Sequence, residues 1–475
     1  MYHILRSQVI SPGNPLLADT MLFTCWQNPL AAHSELERVY GWGIALESRE
    51  GETDSMAERT PVERVRAREL GIILGTLSPG PLNAITDVAG VRVGHVTLVR
   101  GSGPLVRGIG PVRTGVTALL PHGDNLFAGK VPAAATVFNG FGKTIGLMQI
   151  AELGQLETPI LLTNTLSVGR VADALVASML EQNPTIGVTT GTINPVVCEC
   201  NDGFLNDIGG RHVGEQEVRS ALDSAAGGPI AEGNIGAGTG MTAYGFAGGI
   251  GTASRRLGQE HASYTLGALV LANFGRRSDL LIAGVPVGRD LERRGRQPPA
   301  SSGAISEERE HGSVIVALAT DAPLDARQLA RLTRRVPLGL ARTGTHGGHG
   351  SGDLAIAFAT AQRIPHDTAP LVRNVTVLNE QNAAIDALFA AVVEATEEAV
   401  INALCAAHPI EGRDGHHLEA LPIDATLAIL RRYGLHRSSI HTDKHDIMPV
   451  GTRGAFEAKQ RRERAGEGGG DDPGE

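Results

Sequence analysis

Ser313 stands where a nucleophile would be useful. It follows Gly312 and opens the unbroken apolar run Val314–Ala319, whose length and β-branched content predict a buried strand. Between Arg289 and His311 the chain is densely charged around Pro298-Pro299 and Ser301-Ser302-Gly303. Such a segment buries too little apolar surface to offset its ordering entropy, so an exposed, mobile loop is expected over 289–311. A loop that ends one peptide bond before a core strand suits chain cleavage. With the Gly312–Ser313 bond cut, Ser313 would carry a hydroxyl nucleophile and a free α-amine on one residue. The alternative is that Ser313 merely begins a strand after a long loop.

Two further stretches carry candidate chemistry. Glycines at 233, 236, 238 and 240 around Asn234 do not follow the dinucleotide-binding order, and no lysine makes them a phosphate loop. A glycine cluster can instead bring backbone N–H groups and the Asn234 amide to a reacting carbonyl, as an oxyanion hole requires; a set of tight turns is the other reading. Gly350-Ser351-Gly352-Asp353 fails the nucleophile-elbow pattern because His349 stands where its first glycine should be. Ser351 and Asp353 are two residues apart at the start of a strand, hence on one face. A hydroxyl and a carboxylate so placed can orient a proton for a nucleophile, or simply close a hydrogen-bonded turn. His346 with His349, and Cys198 with Cys200, lack further ligands at metal-site spacing, so structural roles and no metal are expected.

The elements that must position these residues are soluble and mixed. A net charge of −9 leaves no basic surplus for nucleic acid. No apolar stretch approaches the ~20 residues of a membrane helix, and residues 1–50 lack the order of a secretory signal. Four cysteines imply no disulfide framework, so the cytoplasm is the expected location. Residues 1–60 read as a poorly ordered extension, with Met56 an alternative start, and 435–475 as an extension with a disordered tail. Between them, 61–434 reads as one catalytic domain.

Within that domain, strands are expected around Val91–Val96 and over Val116–Leu120, Ala133–Val137, Ile160–Thr163, Pro195–Cys200, Leu266–Phe274 and Leu280–Ala283. A further one holds Leu354, Ile356 and Phe358. Helices are expected around Ile145–Leu153, after Ser167 as N-cap, over Glu215–Ala225, after an Asp325/Gln328 capping box with Pro337 bending its end, and over Asn379–Cys405. Strict β-α alternation is missing, which points to two central sheets covered by helices.

Taken together, the segments resemble the L-aminopeptidase/D-amidase-esterase family, which includes the β-peptidyl aminopeptidases. The resemblance spans about Arg64 to Gly434. It rests on Pro79-Gly-Pro-Leu-Asn-Ala-Ile-Thr-Asp-Val-Ala-Gly-Val-Arg-Val-Gly-His95, Leu162-Thr-Asn-Thr165, Gly233-Asn-Ile-Gly-Ala-Gly-Thr-Gly-Met241 and Gly248-Gly-Ile-Gly-Thr252. It also rests on Gly312-Ser313 with Ala319-Thr-Asp-Ala-Pro-Leu324, and on Gly350-Ser-Gly-Asp353. It implies an α/β, four-layer αββα sandwich like the N-terminal-nucleophile hydrolases but of distinct connectivity. It also implies self-cleavage at Gly312–Ser313 into an α chain ending at 312 and a β chain starting at 313. By the same resemblance, Ser313 is the nucleophile, Ser351 and Asp353 its partners, and Asn234 an oxyanion donor. Some family members carry glutamate at the position of Asp353. A carboxylate that anchors the substrate amine is expected too, with Glu152 chosen and Glu157 close behind. No cofactor is implied. The expected substrates are short peptides, amides or esters, and several αβ units are expected to assemble. Rival readings are a linear-amide hydrolase or an acyltransferase, both of which use threonine in the nucleophile's place, and an uncleaved glycine-rich ligand-binding protein.

Overall fold

The computed structural model describes residues 64–258, 263–294, 312–367, 371–381 and 383–435. The expected N-terminal extension, most of loop 289–311 and the tail from 436 lie outside them.

In chain order the main strands are β1 (Arg92–Arg100), β2 (Val112–Leu120), β3 (Gly129–Gly140), β4 (Ile160–Asn164), β5 (Val196–Cys200), β6 (Gly249–Arg256), β7 (Thr265–Asn273), β8 (Ser313–Thr320) and β9 (Gly352–Ala359). The helices are α1 (Leu147–Leu153), α2 (Val168–Gln182), α3 (Glu215–Asp223), α4 (Val287–Arg294), α5 (Ala326–Thr333), α6 (Val336–Ala341), α7 (Ala384–Ala406) and α8 (Ile423–Arg432). One sheet runs β1-β2-β4-β5. The other runs β3-β9-β8-β7-β6, with the two-residue strands 155–156 and 364–365 added along β3. Its central pair, β8 and β9, is parallel, and both flanks are antiparallel.

Side-chain alternation turns these sheets into four layers. On β8, Ile315, Ala317 and Ala319 join the core between the sheets, while Val314, Val316 and Leu318 join the core under the helices. On β9 the large residues Leu354, Ile356 and Phe358 face the other sheet. Ala355, Ala357 and Ala359 line the helix side, where α5 packs. The outer face of the first sheet is closed by α2 and α3, with Val171, Leu175, Met179, Val218 and Ala221 against Val116, Ala118, Leu161 and Val197. The expected αββα sandwich is therefore present, and both strand 8–9 faces are apolar, as a parallel pair covered on both sides requires.

Several local expectations need correction. Leu280–Ala283 is not a strand: Ile282 and Val285 bridge across a tight turn, with Ala283 at φ 52°. The charged segment begins as helix α4, because Val287 is buried in the core and Asp290 pairs with Arg432 at 2.6 Å. The helix after the capping box does not bend at Pro337 but stops at Thr333 and restarts as α6, with the proline in its first turn, where a missing N–H costs nothing. Ser167 makes no side-chain cap; Asn164 accepts the Ser167 N–H at 3.0 Å instead. The long helix starts at Ala384 rather than Asn379. Among the described residues, no helix is long and apolar enough to cross a membrane.

Candidate active site

Strand ends converge on Ser313. Because β8 and β9 are parallel and start at one level, the first residue of each, Ser313 and Gly352, are partners. On the other side Asn273, the last residue of β7, lies directly opposite Ser313. Asn139 and Gly140, at the end of β3, stand opposite Asp353 and Gly352. The chain is continuous here, and the Ser313 hydroxyl donates to the carbonyl oxygen of Gly312, the bond expected to be cut, at 2.7 Å. The Gly352 N–H lies 3.2 Å from Ser313 Oγ and 3.3 Å from the Gly312 oxygen. One backbone donor therefore sits beside both the attacking hydroxyl and the carbonyl it would attack. Gly312 admits nothing larger than glycine, since a Cβ there would stand 2.2 Å from the Asn273 carbonyl oxygen.

Ser351 and Asp353 come together beside this group. Ser351 Oγ donates to Asp353 Oδ1 at 2.5 Å, and the same oxygen accepts the Val314 N–H at 3.2 Å. Asp353 thus touches the backbone one residue from the nucleophile. Both residues are buried, so this carboxylate acts in a medium where charge is worth more than in water.

The end of β5 forms the underside of the site. Cys200 Sγ lies 3.3 Å from the Ser313 carbonyl oxygen. Burial pushes its thiol well above the usual range, so it stays protonated and donates. The Asn201 carbonyl accepts from Asn273 Nδ2 at 3.1 Å. Asp202 is fully buried and its pKa is raised to about 7, chiefly by desolvation, against hydrogen bonds from Thr114 and Asn206 that favour the anion. Its Oδ2 has no hydrogen-bond partner among the described residues. A carboxyl whose folded pKa is raised above its unfolded value contributes stability at low pH that is lost as pH rises through the folded pKa. Asp202→Asn should therefore raise the thermal midpoint more at pH 8 than at pH 5, the gain in stability growing by about 1.4 kcal/mol per pH unit between the unfolded and folded pKa values. Melting curves at pH 5 and 8 test the sign.

The structure does not bring the remaining expected residues to Ser313. The Asn234 amide pairs with the His408 backbone: Nδ2 donates to the His408 carbonyl and Oδ1 accepts the His408 N–H, each at 3.0 Å. Its segment bridges Ile250 on β6, and β6 is separated from β8 by β7. Three interstrand steps amount to about 14 Å. The residue opposite Ser313 that carries an amide is Asn273, buried and fixed by the Thr242 N–H at 2.9 Å and by the Asn201 carbonyl. Directly opposed antiparallel residues hold their Cβ atoms about 5 Å apart on one face. Glu152 is exposed on α1, and Glu157 is tied to Lys130 at 3.3 Å, Gln149 and the Asn194 N–H. The nearer buried carboxylate is Glu199 on β5. It accepts from the Lys143 N–H at 2.7 Å and from the Thr165 hydroxyl. Among the described residues, no three His, Cys, Asp or Glu side chains gather as a metal site would need.

The chain is similar to known proteins over most of its length. The model of peptidase family S58 matches residues 83–418. The β-peptidyl aminopeptidase BapA of Sphingosinicella microcystinivorans is 42% identical over 384 residues, 80% of this chain and 95% of the relative. The crystal structure of the PH0078 protein from Pyrococcus horikoshii OT3 superposes with a TM-score of 0.73 at 51% identity, covering 78% of this chain and 99% of that one. The L-aminopeptidase D-Ala-esterase/amidase of Ochrobactrum anthropi, a prototype serine aminopeptidase with a variant of the Ntn-hydrolase fold, gives 0.70 at 42% identity over 78% and 99%.

Proposed function

The chain belongs to peptidase family S58, and on that premise we propose that it is a serine aminopeptidase that first cuts its own Gly312–Ser313 bond and then uses Ser313 as an N-terminal nucleophile. The observation that carries this reading is the 2.7 Å contact of the Ser313 hydroxyl with the Gly312 carbonyl oxygen beside the Gly352 N–H. In the self-cleavage, Ser313 Oγ attacks the Gly312 carbonyl carbon and its proton passes to the Ser313 nitrogen. The C–N bond then breaks, leaving an ester between Gly312 and Ser313 Oγ. Water hydrolyses that ester, giving a Gly312 carboxylate and a free Ser313 α-amine.

The new amine has a reference pKa of about 7.7–8.0 and holds a neutral fraction near pH 7, so it serves as general base toward its own hydroxyl. Ser351 and Asp353 orient that proton relay from the adjoining strand. The N-terminal acyl group of a short peptide, amide or ester passes to Ser313, the amine or alcohol departs, and water releases the acyl group. The oxyanion of each step is held by the Gly352 N–H and the Asn273 amide, which takes the role first given to Asn234.

The test is direct. Purified protein should resolve on a denaturing gel into two fragments, the second beginning at Ser313 by N-terminal sequencing. The cut protein should release p-nitroaniline from amino-acid anilides but not from their N-acetylated forms. A single band that persists through long incubation would sink the proposal, and equal turnover of acetylated anilides would make the protein a general amidase instead.

A further inference from the structure

The Glu199 carboxylate is buried at the end of β5, and no cation pairs with it among the described residues. An unpaired buried carboxylate is costly, so its two charge-assisted hydrogen bonds, from the Lys143 N–H and the Thr165 hydroxyl, must hold something in place. The first holds the 140–144 turn, and the second fixes the carboxylate from Thr165 after β4. A Cβ built on Gly142 would lie 3.4 Å from Glu199 Oε1 and 3.4 Å from Gly352 Cα. From the other side, a Cβ on Gly352 would meet the Gly142 Cα and N at 2.6 Å, with Ser313 Oγ at 3.2 Å. The two glycine backbones are thus in direct contact, and Gly352 is the residue whose N–H reaches both Ser313 Oγ and the Gly312 oxygen.

We propose that Glu199 is a positioning residue for the nucleophile: through the Lys143 N–H it presses Gly142 onto Gly352 and so aims the Gly352 N–H at the reacting atoms. This rests on the self-cleavage reading above. The effect should appear before any substrate is present, in the rate at which the chain cuts itself. A carboxylate that merely bound a substrate's ammonium would leave that rate alone.

The experiment follows the loss of full-length chain in wild type, Glu199→Ala, Glu199→Gln and Thr165→Val, with a thermal midpoint for each and anilide kinetics on the cut proteins. Glu199→Ala should cut itself about 10-fold or more slowly, the size of effect seen when an outer partner of a functional group is lost. Its kcat should fall similarly with KM little changed. Glu199→Gln retains an acceptor for Lys143 and should stay within about 3-fold of wild type. Thr165→Val, which removes one hydroxyl, should be several-fold slow and well folded. Self-cleavage at the wild-type rate in Glu199→Ala would overturn the inference, as would a rise in KM for free-amine anilides with self-cleavage intact. If Glu199→Ala does not fold, Thr165→Val cutting at the wild-type rate would overturn it alone. A wild-type chain that never cuts would instead remove the reading on which the inference stands.

Discussion

Ser313→Ala is expected to remain one full-length chain and to lose anilide hydrolysis by about 10⁶-fold, the scale on which removal of a serine nucleophile acts elsewhere. The hydroxyl is the group in contact with the Gly312 carbonyl, and the departing methyl-sized change leaves the strand partners Asn273 and Gly352 in register. What the fold loses is the hydroxyl's bonds to Gly312 and Gly352, together about 1–3 kcal/mol. Intact mass and a melting curve separate the two effects: a single mass with a thermal midpoint within a few degrees of uncut wild type supports the assignment. Two fragments from Ser313→Ala would mean that the cut lies elsewhere or is made by another protein.

How much of this was legible beforehand depends on the range of the interactions. Ser351 and Asp353 could be paired from sequence because their contact spans two residues. Gly312 and Ser313 stood out because a change from charged to apolar sequence falls between them. The layers were legible too, since Leu354, Ile356 and Phe358 alternate with alanines that leave room for α5. Asn273 was hidden for the opposite reason. It meets Ser313 only because β7 and β8 pair antiparallel in one register, and residues 274–312 separate them in the chain, so no local spacing marks the pair. Glu199 was hidden likewise, as a charged residue inside the apolar Val196–Cys200 run. The chain spends that charge on a backbone N–H and a hydroxyl, which sequence alone does not reveal. Asn234 attracted attention through its glycines, yet those glycines serve close packing: a Cβ on Gly238 would stand 2.6 Å from the Ile250 nitrogen.

That contrast gives a discriminating pair of variants. Asn273→Asp keeps an acceptor for the Thr242 N–H but removes the amide donor and places a carboxylate beside the developing oxyanion. Loss of one oxyanion donor costs about 2.7–4 kcal/mol of barrier, so kcat of the cut enzyme should fall by about 10²–10³-fold, with KM changed far less, and self-cleavage should slow in parallel. Asn234→Ala removes two hydrogen bonds to the His408 backbone. It should lower stability by about 1 kcal/mol while turnover stays within about 2-fold, because the amide lies about 14 Å from β8. Both variants are judged by single-turnover acylation with an anilide and by the half-time of the Gly312–Ser313 cut. A large kinetic loss in Asn234→Ala with Asn273→Asp near wild type would return the oxyanion role to the glycine-rich segment. It would also require that segment to swing across β6 and β7 after cleavage, a displacement that breaks the Gly233–Ile250 bridge with its 2.7 and 2.8 Å hydrogen bonds. The strand register makes that movement costly and sets Asn273 opposite Ser313 without it.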